Sequence, residues 1–422
     1  MRFPPARIQP SAEHHWRSLP AAQQPVWPDA AALDHVLREL SSYPGLVTAE
    51  DCDRLTSRMA EVARGEAFLL QGGSCAETFA DSSADRVGAL AALLSDMADV
   101  VAEASSLPVV TVARMAGQYA KPRSQQNETR DGVSLPAYRG DAVNGREFTP
   151  AARTPDPVRL LESHRSATTA LSHLRVVRHG RSDVFVSHEG LLLDYESALT
   201  RTDPRGGRRY AASGHMLWIG ERTRDLAGAH LAYFADIANP VAVKLGPSAT
   251  PGMVVSLANR LDPHREPGRL TFIARMGADK VRDVLPALVM AAESSGSPVS
   301  WVCDPMHGNT VVSPSGRKTR EFSSVMEEVR GFFEVHRALG THAGGVHAEL
   351  CADDVTECTG GLQRISDADL ARRYETACDP RLNAAQAREF AARLSELARV
   401  NGNDRRLETP WRGIPSLLRE VP

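Results

Sequence analysis

Lysine is nearly absent from this chain. Its 422 residues include 49 lysines and arginines, of which only Lys121, Lys244, Lys280 and Lys318 are lysines. A coding bias toward arginine accounts for the scarcity but not for where the survivors sit. Other absences exclude whole classes of function. No run approaches the roughly 20 apolar residues that span a bilayer. Met1–Pro10 (MRFPPARIQP) offers no apolar core for a secretion signal. The six cysteines are sparse and form no C-x-x-C pair, which argues against a disulfide framework and for a reducing compartment. The sequon Asn127-Glu128-Thr129 therefore lacks the context that would make it meaningful. A net charge of −3 gives no general attraction to nucleic acid or a membrane surface. The expectation is a cytoplasmic protein with neither as a partner.

What is present is a rhythm of short apolar runs. Eight are β-branched or aromatic enough to be strands: Ala67–Leu70, Val109–Val112, Asp183–Ser187, His215–Ile219, Val241–Val243, Leu270–Ile273, Val299–Val302 and Gly345–His347. Helical periodicity separates most of them, over Ala84–Ala104, Pro157–Ser172, Pro251–Leu261, Ala278–Ser294 and Glu321–Leu339. Eight strands alternating with helices predict an α/β protein, a closed (β/α)8 TIM barrel over residues 61–422. No G-x-G-x-x-G or P-loop follows any strand, which weakens the open doubly wound alternative. Residues 1–60 read as an N-terminal extension containing one or two helices, one of them over Ala30–Leu40 behind Asp29 as N-cap. That extension is a candidate interface element of a homo-oligomer. The glycine- and charge-rich stretch Arg130–Arg146 is too long for a simple turn and reads as a lid or an interface arm.

Polar residues gather where the predicted strands end, the catalytic face of such a barrel. Cys75, His307, Glu349 and Asp379 fall there or just beyond, and the first and eighth strands are neighbours, so the four can converge. A mixed S/N/O set suits a divalent transition metal such as Mn²⁺, Co²⁺, Fe²⁺ or Zn²⁺. Taken singly, each has an ordinary explanation: a small buried thiol, a satisfied histidine, an Asp-Pro turn. A second group is cationic. Arg114, Arg222, Lys244 and Arg275 end the second, fourth, fifth and sixth strands, and Lys121-Pro122-Arg123-Ser124 follows the second. Surface arginines are the default reading, yet cations at one end of consecutive strands build a basin for small, multiply anionic ligands. Lys244 could alternatively form a Schiff base with a carbonyl substrate.

Several long motifs resemble one family. Gly72-Gly73-Ser74-Cys75-Ala76-Glu77, the stretch from Arg114 to Ser124 (RMAGQYAKPRS) and Trp218–Arg224 (WIGERTR) are similar to type II 3-deoxy-D-arabino-heptulosonate 7-phosphate (DAHP) synthases. So are Arg275-Met276-Gly277, Cys303–Thr310 (CDPMHGNT), Phe332–His342, Tyr374–Asn383 and the N-terminal Trp16–Pro25. The resemblance covers nearly the whole chain. It implies a transferase of the shikimate pathway, condensing phosphoenolpyruvate with erythrose 4-phosphate. By motif position Cys75, His307, Glu349 and Asp379 would hold the metal, with Mn²⁺ the first expectation. Arg114, Glu221, Arg222, Lys244 and Arg275 would hold phosphoenolpyruvate. Lys121, Pro122, Arg123 and Ser124 would hold the aldose phosphate, with Lys121 the candidate proton donor and Lys121, Lys244 and His307 the catalytic set.

Against the family it resembles, the stretch Ser124–His215 is shorter than in longer members and lacks the helical insertion that binds aromatic amino acids there. That implies weak feedback inhibition and a form suited to secondary metabolism. Three alternatives remain at this point: an aminoDAHP synthase, a Schiff-base aldolase, and a regulatory partner of chorismate mutase. Cys378 precedes Asp379 and is expected to approach Cys75, close enough to pair with it in oxidised, metal-free protein. Lys280 is expected at a helix start on the surface, and Lys318 near the same barrel end as a peripheral phosphate contact.

Overall fold

The computed structural model describes residues 15–177 and 183–404. The expected extension at residues 1–14 and the expected barrel domain at 405–422 lie outside the described residues. Eight strands form the centre: β1 (Phe68–Gly73), β2 (Val109–Arg114), β3 (Val184–Glu189), β4 (Met216–Ile219), β5 (Val241–Leu245), β6 (Leu270–Ala274), β7 (Ser300–Cys303) and β8 (Gly345–Glu349). Each pairs in parallel with its neighbour in chain order, and β8 pairs back onto β1 through Leu69↔Gly345 to Gly73↔Glu349. The barrel is closed, a (β/α)8 TIM barrel, and every strand predicted from the sequence falls on one of its staves.

Two helices precede it, α1 (Ala30–Ser42) and α2 (Ala49–Ala63). Around and after it come α3 (Ala84–Ser105), α4 (Pro150–Arg153), α5 (Arg159–Val177), α6 (Leu193–Ala198), α7 (Ala229–Asp236), α8 (Pro251–Leu261), α9 (Val281–Ser294), α10 (Phe322–Leu339) and α11 (Ala384–Asp404). Local chemistry starts and stops them. The Asp29 carboxylate accepts the Ala32 N–H at 2.9 Å as the cap of α1. Thr48 and Asp51 form a reciprocal capping box on α2. Pro251 opens α8 behind the Thr250 cap, and Gly340 closes α10 in the left-handed region.

The strands are buried on both faces, as a helix-covered parallel sheet requires. Outward residues pack under the helices; inward ones form a separate cluster including Leu69, Val110, Val112, Phe185, Met216, Trp218, Ala242, Ile273 and Val302. Helix α2 joins that inner cluster through Leu55, Met59 and Val62, capping the N-terminal end of the barrel. The approach there is close. A Cβ on Gly268, just before β6, would stand 2.2 Å from Thr56 O and 2.5 Å from Ala60 N, and its φ of +86° also favours glycine.

Three short hairpins decorate the chain: Asn127–Arg130 with Val133–Pro136, Thr200–Thr202 with Arg209–Ala211, and Thr310–Val312 with Lys318–Arg320. The stretch expected as a lid or arm divides accordingly. Its first part is the exposed hairpin, while residues 137–138 and 140–145 are buried, with Asp141 accepting from the Phe79 N–H and the Tyr138 hydroxyl at 2.9 and 2.8 Å.

Candidate active site

Strand alternation delivers charge to one end of the barrel interior. Val110 and Val112 belong to the inner cluster, so Arg114 continues the same face at the strand's end. Ala242 leads in the same way to Lys244, and Phe185 leads through Ser187 to Glu189. A polar layer underlies this charged one. Gln71 donates to Ser187 Oγ at 2.8 Å and accepts from His347 Nδ1 at 2.7 Å. His347 Nε2 is then the acceptor facing the Arg114 guanidinium. Burial, with Lys244 and Arg114 nearby, holds this imidazole neutral.

Above these layers opens a cavity of about 1050 Å³, its mouth included. Cys75, Arg114, Lys121, Pro122, Arg123, Ser124, Glu221, Arg222, Lys244, Arg275, His307 and Asp379 all line it, so nearly every residue singled out in the sequence is brought together. Glu349 lies completely buried behind them. Lys280 is exposed at the start of α9, as expected. Lys318 lines the mouth and donates to Asp379 Oδ1 at 3.1 Å.

The donor set fits a metal. Donor atoms of Cys75, Glu349 and Asp379 all lie within 4.8 Å of one another. His307 Nε2 stands 3.1 Å from Glu349 Oε1, while its Nδ1 meets Asp304 Oδ2 at 2.7 Å. A carboxylate on the far nitrogen is the usual way a ligating imidazole is oriented. Burial lowers the His307 pKa, which leaves a nitrogen lone pair free. Thiolate, imidazole and two carboxylates suit a divalent transition metal, and these residues would hold one.

A profile of the class-II DAHP synthetase family matches residues 11–183 and 178–395. A phospho-2-dehydro-3-deoxyheptonate aldolase of Streptomyces coelicolor is 50% identical, over 93% of this chain and 99% of its own. One from Mycolicibacterium smegmatis is 44% identical, over 90% and 93%. The chain belongs to the class-II DAHP synthase family. It is a transferase of the shikimate pathway. A solved phospho-2-dehydro-3-deoxyheptonate aldolase from Francisella tularensis, 11% identical, superposes with a TM-score of 0.52 over 86% of this chain and 96% of that one, a likeness of fold. Among the described residues no helix is long and apolar enough to cross a membrane.

Several groups in this DAHP synthase carry no signal of their own in the sequence. Arg320 is fully buried, its NH2 2.8 Å from Glu349 Oε2, its Nε donating to Thr310 Oγ1 and its NH1 donating to the Pro380 carbonyl. It ties together two loops that carry expected ligands. Asp304 stands three residues before His307 inside a motif already noted, a spacing that could have revealed it. It accepts from Lys244 Nζ at 2.8 Å. Glu189 is half-buried in the cavity wall, and desolvation raises its carboxyl pKa against the opposing pull of Lys244, Lys121, Arg114 and Arg222. Trp218 carries Arg114 and Lys244 over its ring at 5.0 and 5.7 Å.

Carboxylates, two of them buried, also fix the loops of the synthase. Glu77 accepts the N–H groups of Ala116, Gly117 and Gln118 at 2.8–3.0 Å, shaping the turn after Arg114. Glu221 accepts the Gly246 N–H at 2.6 Å and pairs with Arg224, so its side chain holds the β5 loop. Glu328 accepts from Met276 and Gly277 at 2.7 and 2.8 Å and from Asn309 Nδ2 at 2.7 Å, which locks the β6 loop to the β7 loop. The two loops nearly touch: a Cβ on Gly308 would lie 2.3 Å from Gly277 N. Cys75 Sγ accepts the backbone N–H of Asp379 at 3.4 Å, which brings the preceding Cys378 to the same corner of the site.

Proposed function

We propose that this synthase condenses phosphoenolpyruvate with D-erythrose 4-phosphate and water, releasing DAHP and inorganic phosphate. The observation that carries this reading is one cavity with two groups of cations over a mixed-donor cluster. Arg114, Lys244 and Arg275, with Arg222 exposed at their edge, form the group read as inner, and Lys121 to Ser124, running from a buried lysine out to an exposed serine, the group read as outer. Two small, multiply charged anions need that arrangement, and arginine forks match phosphate and carboxylate. Arg222 donates to Ser124 Oγ at 2.7 Å, which supports two adjoining subsites.

A divalent metal, Mn²⁺ first among those the donors suit, would act from Cys75, His307, Glu349 and Asp379 as a Lewis acid on the aldehyde oxygen. The chain's own residues do the rest. Arg114, Arg222, Lys244 and Arg275 hold phosphoenolpyruvate, and Glu221 shapes the loop beneath it. Lys121 to Ser124 set the aldehyde carbon within reach of C3 of the enol phosphate, and holding both in attack geometry supplies much of the acceleration. As the new carbon–carbon bond forms, Lys121 donates a proton to the aldehyde oxygen. Its ammonium is kept protonated, since Asp379, Cys75 and Glu349 outweigh the effect of burial. Water adds at C2, and Glu189 takes its proton. The C2–O bond to phosphate then breaks and the keto group forms.

The reading extends to regulation and setting. Within Ser124–His215 the described elements are two hairpins, β3 and α4 to α6, in keeping with the missing inhibitor-binding insertion. We infer weak inhibition by tryptophan, phenylalanine and tyrosine, and supply of a secondary-metabolite pathway. A cytoplasmic homo-oligomer, with chorismate mutase as a further partner, completes the proposal. The test is phosphoenolpyruvate consumption with and without erythrose 4-phosphate, in chelated and in Mn²⁺-restored enzyme. Loss that needs both metal and aldose is expected; loss independent of either overturns the reading. Strong inhibition by any aromatic amino acid would overturn the regulatory part alone.

A further inference from the structure

The N-terminal arm does not stay with the helices it precedes. Trp16 is buried edge-on against Tyr233, 6.0 Å between ring centres, and the Pro20 carbonyl accepts the Ala229 N–H at 2.9 Å. From α7 the arm crosses to the catalytic end. There Gln24 donates to the Leu191 carbonyl at 2.7 Å and accepts the Leu193 N–H at 3.2 Å. Between these anchors Gln23 sits in the left-handed region, at φ +62°, which non-glycine residues adopt at a cost.

That conformation aims Gln23 at the outer cation loop. Its Oε1 accepts the backbone N–H of Arg123 at 2.9 Å. Arg139 NH2 donates both to Gln23 Oε1, at 3.2 Å, and to the Gln23 carbonyl, at 3.0 Å. Arg139 in turn accepts, through its own carbonyl, the backbone N–H of Lys121 at 2.9 Å. One side chain from the arm therefore fixes the peptide between Pro122 and Arg123, and braces the strand of chain that holds Lys121.

We propose that Gln23 is a positioning residue for the aldose-phosphate loop, so that the N-terminal arm forms part of the outer subsite. This rests on the reading of Lys121 to Ser124 as the erythrose 4-phosphate site. The arm reaches no residue of the inner group in these contacts, so its effect is confined to one substrate. Both bonds from the Gln23 side chain use its oxygen as acceptor. Gln23→Glu keeps that oxygen, Gln23→Met keeps the bulk without it, and Gln23→Gly removes the side chain while easing the backbone.

The experiment measures KM for each substrate and kcat in Mn²⁺-loaded enzyme. Gln23→Met and Gln23→Gly are expected to raise KM for erythrose 4-phosphate about tenfold, the scale of losing a hydrogen bond shared with a charged donor. KM for phosphoenolpyruvate should stay within twofold, and Gln23→Glu should return the aldose KM most of the way. An unchanged aldose KM in both variants overturns the proposal, as does an equal rise for both substrates. Arg123→Ala separates the two layers of argument. If it leaves the aldose KM unmoved, the subsite reading itself fails. If it raises that KM while Gln23→Met does not, only the role of Gln23 fails.

Discussion

Lys121 Nζ stands 2.7 Å from Asp379 Oδ2, a bond that joins the loop after β2 to the loop after β8. It also reaches Glu349 Oε1 at 3.6 Å and contacts the Cys75 sulfur. An ammonium seated between two carboxylates and a thiol is well placed to deliver a proton to an oxygen brought to the same cluster. Lys121→Met should therefore lower kcat by about a hundredfold or more, the usual scale for a general acid. Binding of phosphoenolpyruvate alone should survive. Single-turnover measurements with prebound phosphoenolpyruvate check this, and an unchanged chemical step would remove Lys121 from the role.

Asp304 orients His307 and neutralises Lys244 from a fully buried position. Removing its charge should loosen both. Asp304→Asn is expected to weaken Mn²⁺ affinity roughly 10- to 100-fold, as is typical when an orienting carboxylate is lost. Direct titration followed by the electron paramagnetic resonance of free Mn²⁺ reads this without relying on turnover.

The position of Lys244 leaves little room for an arginine fork. Its side chain is 7% exposed and ends against Asp304 Oδ2, with His307 Nδ1 at 3.4 Å. Lys244→Arg should lose most activity, because a planar guanidinium cannot occupy the space of a compact ammonium. Lys280→Arg, at an exposed helix start, should keep it. Steady-state rates of the two variants side by side decide the matter; equal activity would mean that lysine at position 244 has no special value.

Glu328 gives a pH signature in stability. Burial pushes its carboxyl up to about 8, against an ordinary value of 4.5, although Gly277, Met276 and Asn309 all donate to it. The folded protein then holds a proton that the unfolded chain has already released. Stability from this group is complete below about 4.5 and is lost as pH rises toward about 8. Glu328→Gln should flatten that part of the curve of unfolding free energy against pH. Denaturant titrations across the window test it, and an unaltered slope would exclude the effect.

Cys378 directly precedes Asp379, whose N–H donates to Cys75 Sγ at 3.4 Å, and burial keeps the Cys75 thiol well above its ordinary pKa. Chelated protein under mild oxidant should yield a Cys75–Cys378 crosslink that excess Mn²⁺ suppresses. Non-reducing peptide mass spectrometry reads the outcome, and absence of the linked peptide after full oxidation would dispose of it.

The barrel was legible because its strands are buried on both faces, so each appears as an apolar run ending in charge. The predicted site followed from those endings. What escaped were features with no local period. A second helix was allowed for in the extension but not placed at α2, and α7 and α11 were not anticipated. The three hairpins have strands of only three or four residues, too short for alternation to register. Arg320 and Gln23 were invisible for another reason. Each acts on residues distant in sequence, Gln23 on Arg123 and Arg320 on Glu349, and neither sits at the end of a barrel strand.

The cap that α2 places on the barrel leaves it a cul-de-sac. Arg114 and Lys244 lie deep, 2% and 6% exposed, whereas Ser124 stands exposed at the rim. The mouth of the main cavity, past Ser124, is the way in to that pair. Whatever anion settles on the deep pair has to arrive before the rim is filled and cannot depart until the rim clears. A helix on the opposite side of the molecule from the chemistry thus bears on which anion is expected to add first.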